Sequence, residues 1–413
     1  MKRRRLAVIS IAVIFTVLLL TGCETYNNFK AEFFKSEEDP DSVIRIGVFQ
    51  PLSGKYQAEG ELEKKGIELA HELYHKVLGK EVELVFADNK SDIYIAEAAI
   101  QTLIGKEPSV VLGSYGEIYS LIAAEYLEEA KIPAIAITNT NWLITSNNPY
   151  YFRVCFVYSY EGVALAKYAV EEMGVESAAI LKPLNDDSAI AVSQAFGDKM
   201  AQLTGNKGII VSSQDFDSNE TDFLQQLIKI KESGAEVVFM PAKVDVAAEI
   251  LKQAKDLRVK AVFLGTNNWE TADLVEKAGD AAEGAAFSTI FDPESGITIM
   301  TEAFLKAYRK KYGEEAVPES AVALGFDAYL VALDAISRAG TSTDGYRIMR
   351  VLSRTKEFQG ASGSITFDEK GDPIKSVVIK TINKGEMVSA YTVEPLWAVI
   401  GEEEEAEGTE SEE

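Results

Sequence analysis

The chain's two histidines fall four residues apart, in His71-Glu72-Leu73-Tyr74-His75. On a helix, His at i and i+4 point the same way and can share a metal, with Glu72 as general base, so the string matches the zinc-hydrolase pattern H-E-x-x-H. Such a centre needs a third ligand further along the chain, and the face carrying Glu68 and Glu72 reads as a solvated helix surface. A zinc-dependent hydrolase is therefore the third of three functions considered, and neither a metal nor another cofactor is expected. Asp186-Asp187 and Asp215-x-Asp217 bring carboxylates together, but loops of α/β proteins are commonly acidic without being acid–base catalysts. The patterns G-x-x-x-x-G-K-[ST] and G-x-S-x-G are absent, and no histidine remains for a Ser/His/Asp triad. The expectation is a protein that is not an enzyme.

The elements that position these residues alternate short β-rich runs with longer helical ones. Val43 to Phe49 reads as a strand and Gly60 to Leu78 as a helix, with Leu62, Ile67, Leu69, Leu73 and Val77 at near-helical intervals. The cycle repeats through Val82 to Ala87, a helix from Ile93 to Ile104, Val110 to Leu112, a helix around Ile118 to Ala130, and Ala134 to Ile137. A second set follows Arg153, with strands at Ala178 to Leu181, Gly208 to Ser212, Val237 to Met240 and Ala261 to Leu264 between helices. Strands apolar on both faces and joined by helices belong to parallel sheets covered on both sides. Two similar α/β lobes are predicted. The remainder changes character, with helices from Ile299 to Lys311 and Ser320 to Ala339 and β runs at 364–367, 377–382 and 388–393.

In open α/β sheets a ligand binds beyond the carboxyl ends of the strands, where loops offer backbone N–H groups and helix N-termini. Those loops are Pro51 to Tyr56, Gly113 to Glu117, Thr138 to Asn141, Lys182 to Ser188, Pro241 to Asp245 and Gly265 to Trp269, and all six are polar. Tyr56, Tyr115 and Trp269 are candidate aromatic walls, because small-molecule pockets are apolar with a few directed polar groups. Glu59, just beyond the first loop, joins the candidate set.

Ile46-Gly47-Val48-Phe49-Gln50-Pro51-Leu52-Ser53-Gly54, followed by Gly60 and Gly66-Ile67-Glu68-Leu69-Ala70, resembles the first βα unit of branched-chain-amino-acid-type solute-binding proteins of ABC importers. Ile132-Pro133-Ala134-Ile135, Phe152-Arg153-Val154, Gly279-Asp280-Ala281-Ala282-Glu283-Gly284, Gly325-Phe326-Asp327-Ala328 and Gly363-Ser364-Ile365-Thr366-Phe367-Asp368-Glu369-Lys370-Gly371-Asp372-Pro373 continue it in order, so it covers nearly all of 43–395. The resemblance implies the type I periplasmic-binding-protein fold: two Rossmann-like lobes joined by three crossovers, with the ligand between them. One lobe would comprise 43–155 plus 289–375 and the other 156–288 plus 376–395. It also implies a carboxylate-binding pair at Thr138 and Thr140, with Asn139 between them. Where the family places a serine this chain has Glu117, where it often places an aromatic Asp187, and where it places an acid for the ligand amine Asn267; Lys243 falls near another pocket aromatic. Glu117 and Asp187 either meet a cationic or hydroxyl-rich ligand, pair with Lys243, or lie at the rim, since an uncompensated buried charge is costly. The implied activity is capture of a small polar ligand and delivery to an ABC permease, by a monomer; a ligand-sensing or cell-envelope regulatory lipoprotein is the alternative.

The ends of the chain say where it works. Lys2 and Arg3 to Arg5, an apolar run from Leu6 to Leu20 and the string Leu20-Thr21-Gly22-Cys23 form an export signal over 1–22. The last four residues resemble a bacterial lipobox, which implies lipidation of Cys23, a polar tether over 23–41 and an extracytoplasmic, membrane-anchored protein. With Cys23 so used, Cys155 has no partner and is expected to be a buried thiol. Residues 401–413 hold eight Glu and no base, a solvated and disordered tail. The formal charge of −24, from 41 Lys and Arg against 65 Asp and Glu, argues against nucleic acid, whose phosphates need clustered bases. Residues 42–400 keep 35 bases against 51 acids, a balance of −16.

Overall fold

The computed structural model describes residues 43–217, 219–294 and 298–393. The export signal, Cys23, the tether and the acidic tail lie outside the described residues. Six strands form the first sheet: β1 (Ile44–Gln50), β2 (Lys76–Val77), β3 (Lys80–Asp88), β4 (Val110–Gly113), β5 (Ala134–Ala136) and β6 (Tyr151–Arg153), in the order β2-β3-β1-β4-β5-β6. All pairings are parallel except the short β2–β3 hairpin. Helices α1 (Gln57–Leu73), α2 (Ile93–Ile104) and α3 (Glu117–Ala130) connect the strands. Residues 110–113 and 134–136 are buried on both faces, which is why these runs are continuously apolar rather than alternating.

After β6 the chain enters a second sheet. Helix α4 (Tyr158–Lys167) continues into one π-helical turn, and α5 (Asp187–Thr204), α6 (Leu224–Ser233), α7 (Val244–Asp256) and α8 (Ala272–Ala278) alternate with strands. These are β7 (Ala178–Pro183), β8 (Ile210–Phe216), β9 (Val237–Phe239), β10 (Val262–Gly265) and β11 (Ala286–Thr289). The chain then returns to the first lobe with α9 (Ile299–Tyr312), α10 (Ser320–Ala339), α11 (Gly345–Leu352) and a small antiparallel sheet of β12 (Phe358–Gly360), β13 (Gly363–Phe367) and β14 (Pro373–Ile374). It crosses once more to add β15 (Val377–Asn383) and β16 (Glu386–Val393), giving the order β16-β15-β11-β10-β9-β7-β8. The fold is thus the predicted α/β class, two parallel sheets flanked by helices, with β15 and β16 antiparallel at one edge.

Helices α1 and α10 pack at backbone contact. A Cβ on Gly66 would lie 2.0 Å from the Val322 carbonyl oxygen, and one on Gly325 would lie 2.2 Å from the Glu63 carbonyl oxygen. Each glycine thus seats the other helix's main chain. Gly66→Ala is expected to cost about 1–3 kcal/mol through forced separation of the helices; an unchanged urea midpoint would show that they part freely. At the first passage between lobes, Arg153 is fully buried, pairs with Asp372 at 2.6 Å and donates to the Thr145 hydroxyl at 2.8 Å.

The zinc-like string does not form its predicted geometry. Helix α1 ends at Leu73 rather than continuing to residue 78, and Tyr74 leaves it with φ −133°. His75 therefore stands beyond the last turn and does not share a face with His71. His71 Nδ1 instead lies 2.9 Å from the Tyr329 hydroxyl, and Glu72 pairs with Lys311.

Candidate functional site

The strand order places a topological switch in each sheet, between β1 and β4 in the first and between β7 and β9 in the second. Loops leaving neighbouring strands there turn in opposite directions and open a crevice. A cleft of about 1200 Å³ lies at these strand ends, and its walls come from both lobes. A smaller hollow of about 500 Å³ adjoins it, sharing Glu117, Thr140 and Tyr158.

The floor on the first-lobe side is set by a turn that only glycine can make. Gly113 ends β4 at φ +106°, and a Cβ there would meet the Phe49 carbonyl oxygen at 2.3 Å, so the chain turns sharply into Ser114 and Tyr115. Tyr115 and Tyr56 face one another with ring centroids 5.8 Å apart and planes tilted by 53°. Both line the cleft, as does Glu59, one turn into α1. Gly116 caps α3 without a side-chain acceptor, and Glu117 opens its first turn half-buried, its Oε2 accepting from Asn141 Nδ2 at 3.2 Å.

Beyond β5, Thr138, Asn139 and Thr140 all reach the cleft wall. The Thr138 hydroxyl donates to Glu63. Asn139 is spent on the scaffold: Nδ2 donates to the Ser114 carbonyl at 2.8 Å and the Ser120 hydroxyl at 2.6 Å, while its carbonyl accepts from Arg153 and from the Cys155 thiol. The Thr140 carbonyl accepts the Tyr158 N–H at 3.0 Å, which ties the loop to the start of α4 in the second lobe.

On the second-lobe side, Asn267 lines the cleft, and its backbone N–H donates to Glu161 Oε1 at 2.9 Å. Lys243 is exposed at the start of α7 and reaches only the adjoining hollow. Two expected cleft residues are placed elsewhere. Trp269 is fully buried, packed over Gly265 with its indole N–H donating to the Ala242 carbonyl at 2.9 Å, so it is core rather than aromatic wall. Asp187 is exposed as the first residue of α5; Asp186 lines the hollow and caps the helix by accepting from the Ala189 N–H at 2.9 Å.

Several cleft residues escaped sequence reasoning. Glu270 is paired with Lys380 at 3.2 Å and accepts from the Ser320 hydroxyl at 2.7 Å, so a second-lobe acid meets the N-terminus of a first-lobe helix. Tyr158 lines both spaces. Glu63 lies beneath the cleft rather than on its wall, and its signal was present: Gly60, Glu63, Ile67 and Ala70 follow helical spacing, which places a carboxyl on the buried stripe of α1. Burial holds Glu63 up at about 7 against hydrogen bonds from Thr138 and Gln50, and likewise Glu161 at about 7 against Asn267 and Ser288. Burial, then the nearby Glu59, Glu63, Tyr56 and Glu117, push the Tyr115 hydroxyl up to about 12. The cleft can therefore hold a small polar molecule between tyrosine rings, hydroxyls and carboxylates.

A family model described as periplasmic binding protein matches residues 43–386. The chain is 26% identical over 351 residues to Leu/Ile/Val-binding protein homolog 2 of Brucella abortus (strain 2308), which covers 83% of this chain and 91% of that protein. A crystal structure of a leucine-binding protein from Thermotoga maritima superposes with a TM-score of 0.73 at 32% identity, over 85% of this chain and 99% of that one. The branched-chain amino acid transporter substrate-binding protein LivJ from Streptococcus pneumoniae, solved in complex with isoleucine, gives a TM-score of 0.71 at 26% identity, over 86% and 100% of the two chains. The chain therefore belongs to the periplasmic binding protein family, the solute-binding proteins that serve ABC transporters outside the cytoplasm.

Proposed function

We propose that this protein captures an amino acid, or a related amine or amide, between its two lobes and delivers it to an ABC permease without covalent chemistry. The observation that carries this reading is the cleft itself, where polar loops from the strand ends of both sheets meet around Tyr56 and Tyr115. Ligand contacts are assigned to Tyr56, Glu59, Tyr115, Glu117, Thr138, Thr140 and Asn267. The lobes are 43–155 with 289–375 and 156–288 with 376–395, and closing them buries the ligand while altering the surface that a permease meets. Residues 1–22 direct export, Cys23 carries a lipid anchor, and the body works as a monomer on its tether. The names of the relatives support an amino acid; Glu117, half-buried at the cleft, favours one with additional hydrogen-bond donors.

A thermal-shift screen against amino acids, amines, sugars and nucleosides tests the reading. A true ligand at 100 times its Kd is expected to add about 2.7 kcal/mol of stability. Thr140→Ala is expected to weaken binding about tenfold by removing one hydroxyl contact, a change of about 1.4 kcal/mol. An amino acid that shifts the melt equally in wild type and Thr140→Ala would place the pocket elsewhere.

A further inference from the structure

We propose that Glu63 is a positioning residue whose proton decides whether Thr138 presents a hydrogen-bond donor or an acceptor to the ligand; this rests on the cleft being the ligand site. Glu63 is fully buried on α1, beneath the cleft. Its Oε2 accepts from Gln50 Nε2 at 2.5 Å, and its Oε1 accepts from the Thr138 hydroxyl. The Gln50 amide is held one way round, because its Oε1 already accepts the Tyr115 backbone N–H at 2.9 Å. Oε2 thus faces an N–H donor, whereas Oε1 faces a hydroxyl that can accept as well as donate, so a proton taken up by Glu63 finds its acceptor on the Oε1 side, at Thr138, whose backbone N–H also donates to this carboxyl.

The two states then differ at the cleft wall. With Glu63 ionised, the Thr138 hydroxyl hydrogen points inward and its oxygen lone pairs face the ligand, where an ammonium or other N–H group fits. With Glu63 protonated, Oε1–H donates to the Thr138 oxygen and the hydroxyl hydrogen is released towards the ligand, where a carboxylate fits. The other titratable groups around Glu63 lie on the elements packed against it. Tyr115 beyond β4 and Cys155 at the first passage are pushed up to about 12, and Tyr151 of β6 is also pushed up, all mainly by burial. Gln50 of β1 and Thr138 carry no charge. Glu59 stands one turn away on α1, and Asp327 of α10 is bound to Ser362 and turned towards Lys375. Glu63 itself, held at about 7 by burial, is the group that changes.

Isocaproate and isopentylamine are suitable probes, because neither titrates between pH 6 and 8. Calorimetry on the wild type is expected to show isocaproate weakening about tenfold from pH 6 to pH 8 while isopentylamine strengthens. In Glu63→Gln the new amide would donate permanently to Thr138, so isocaproate is expected to bind at every pH as it does to wild type at pH 6. Parallel pH profiles for the two probes, or a wild-type profile retained in Glu63→Gln, would overturn the proposal. If neither probe binds, the ligand reading fails separately and the ligand-free protein decides. A Thr138 methyl resonance that moves with pH between 5 and 9 in wild type but not in Glu63→Gln supports the positioning role, and one that stays constant in both overturns it.

Discussion

Asp327→Ala is expected to destabilise the protein by about 3–5 kcal/mol, because it strands a buried ammonium. Lys375 is 1% exposed where the chain last leaves the first lobe, and its Nζ donates to the Ser362 hydroxyl at 2.5 Å and the Val154 carbonyl at 3.3 Å. Ser362 in turn donates to Asp327, which also accepts the backbone N–H groups of Ala361 and of Ser362, the latter at 2.9 Å. One carboxylate of α10 thus holds the turn between β12 and β13 and, through a hydroxyl, balances a charge set between two passages of the chain. Burial pushes Asp327 up and Lys375 down, and the charge of each partly offsets that shift in the other. The alanine variant loses the counter-charge and leaves two N–H groups unpaired. Urea unfolding measures the loss, and a deficit under about 1 kcal/mol would mean that water or a neighbouring acid replaces Asp327. Asp327→Asn with Lys375→Met removes both charges together and is expected to be milder than either single change.

The second large effect is a loss of stability as pH rises from 4.5 to 7. Glu63 and Glu161 are fully buried, and burial raises both from the ordinary 4.5 to about 7. In the unfolded chain each ionises near 4.5, whereas in the fold each keeps its proton to about 7. The folded state therefore binds more protons across that window. The stabilisation is fully present below 4.5 and is lost as pH rises through 7, by about 3 kcal/mol for each residue at most. Glu161 is the cleaner probe, because one of its carboxylate oxygens has no hydrogen-bond partner among the described residues. Glu161→Gln is expected to remove about half of the pH dependence. Urea midpoints at intervals from pH 4.5 to 8 test this, and a stability that climbs through the window, or a variant with the wild-type slope, would contradict it.

Patterns of one residue against its neighbours were legible in the amino-acid sequence. Runs such as Val110-Val111-Leu112 are apolar at every position because both faces of a parallel strand are covered, and the cleft loops follow from where those strands end. The length of α10 was equally plain, since twenty residues of helix-forming character carry no break. Helix ends were less legible: α1 stops at Leu73, five residues short of the reading, because a period in apolar residues continues across a turn into β2.

Direction and partnership were decided by the tertiary structure. Whether an aromatic in a polar loop faces ligand or core depends on what lies behind it: Tyr56 turns to the cleft, while Gly265 leaves a recess that Trp269 fills. Of two adjacent acids, Asp186 is held by capping α5 and Asp187 is left to solvent, a one-residue difference in helix phase. Glu63 and Lys380 are charged residues that composition assigns to the surface, yet long-range contacts with Thr138 and Glu270 place them beneath and beside the cleft. Strand and helix periods are local properties of the chain, so the alternation of elements, and with it the two sheets and their loops, was readable from residue order alone. Which carboxylates lie at the cleft, and with which partners, was decided only when residues tens to hundreds of positions apart were brought within hydrogen-bonding distance.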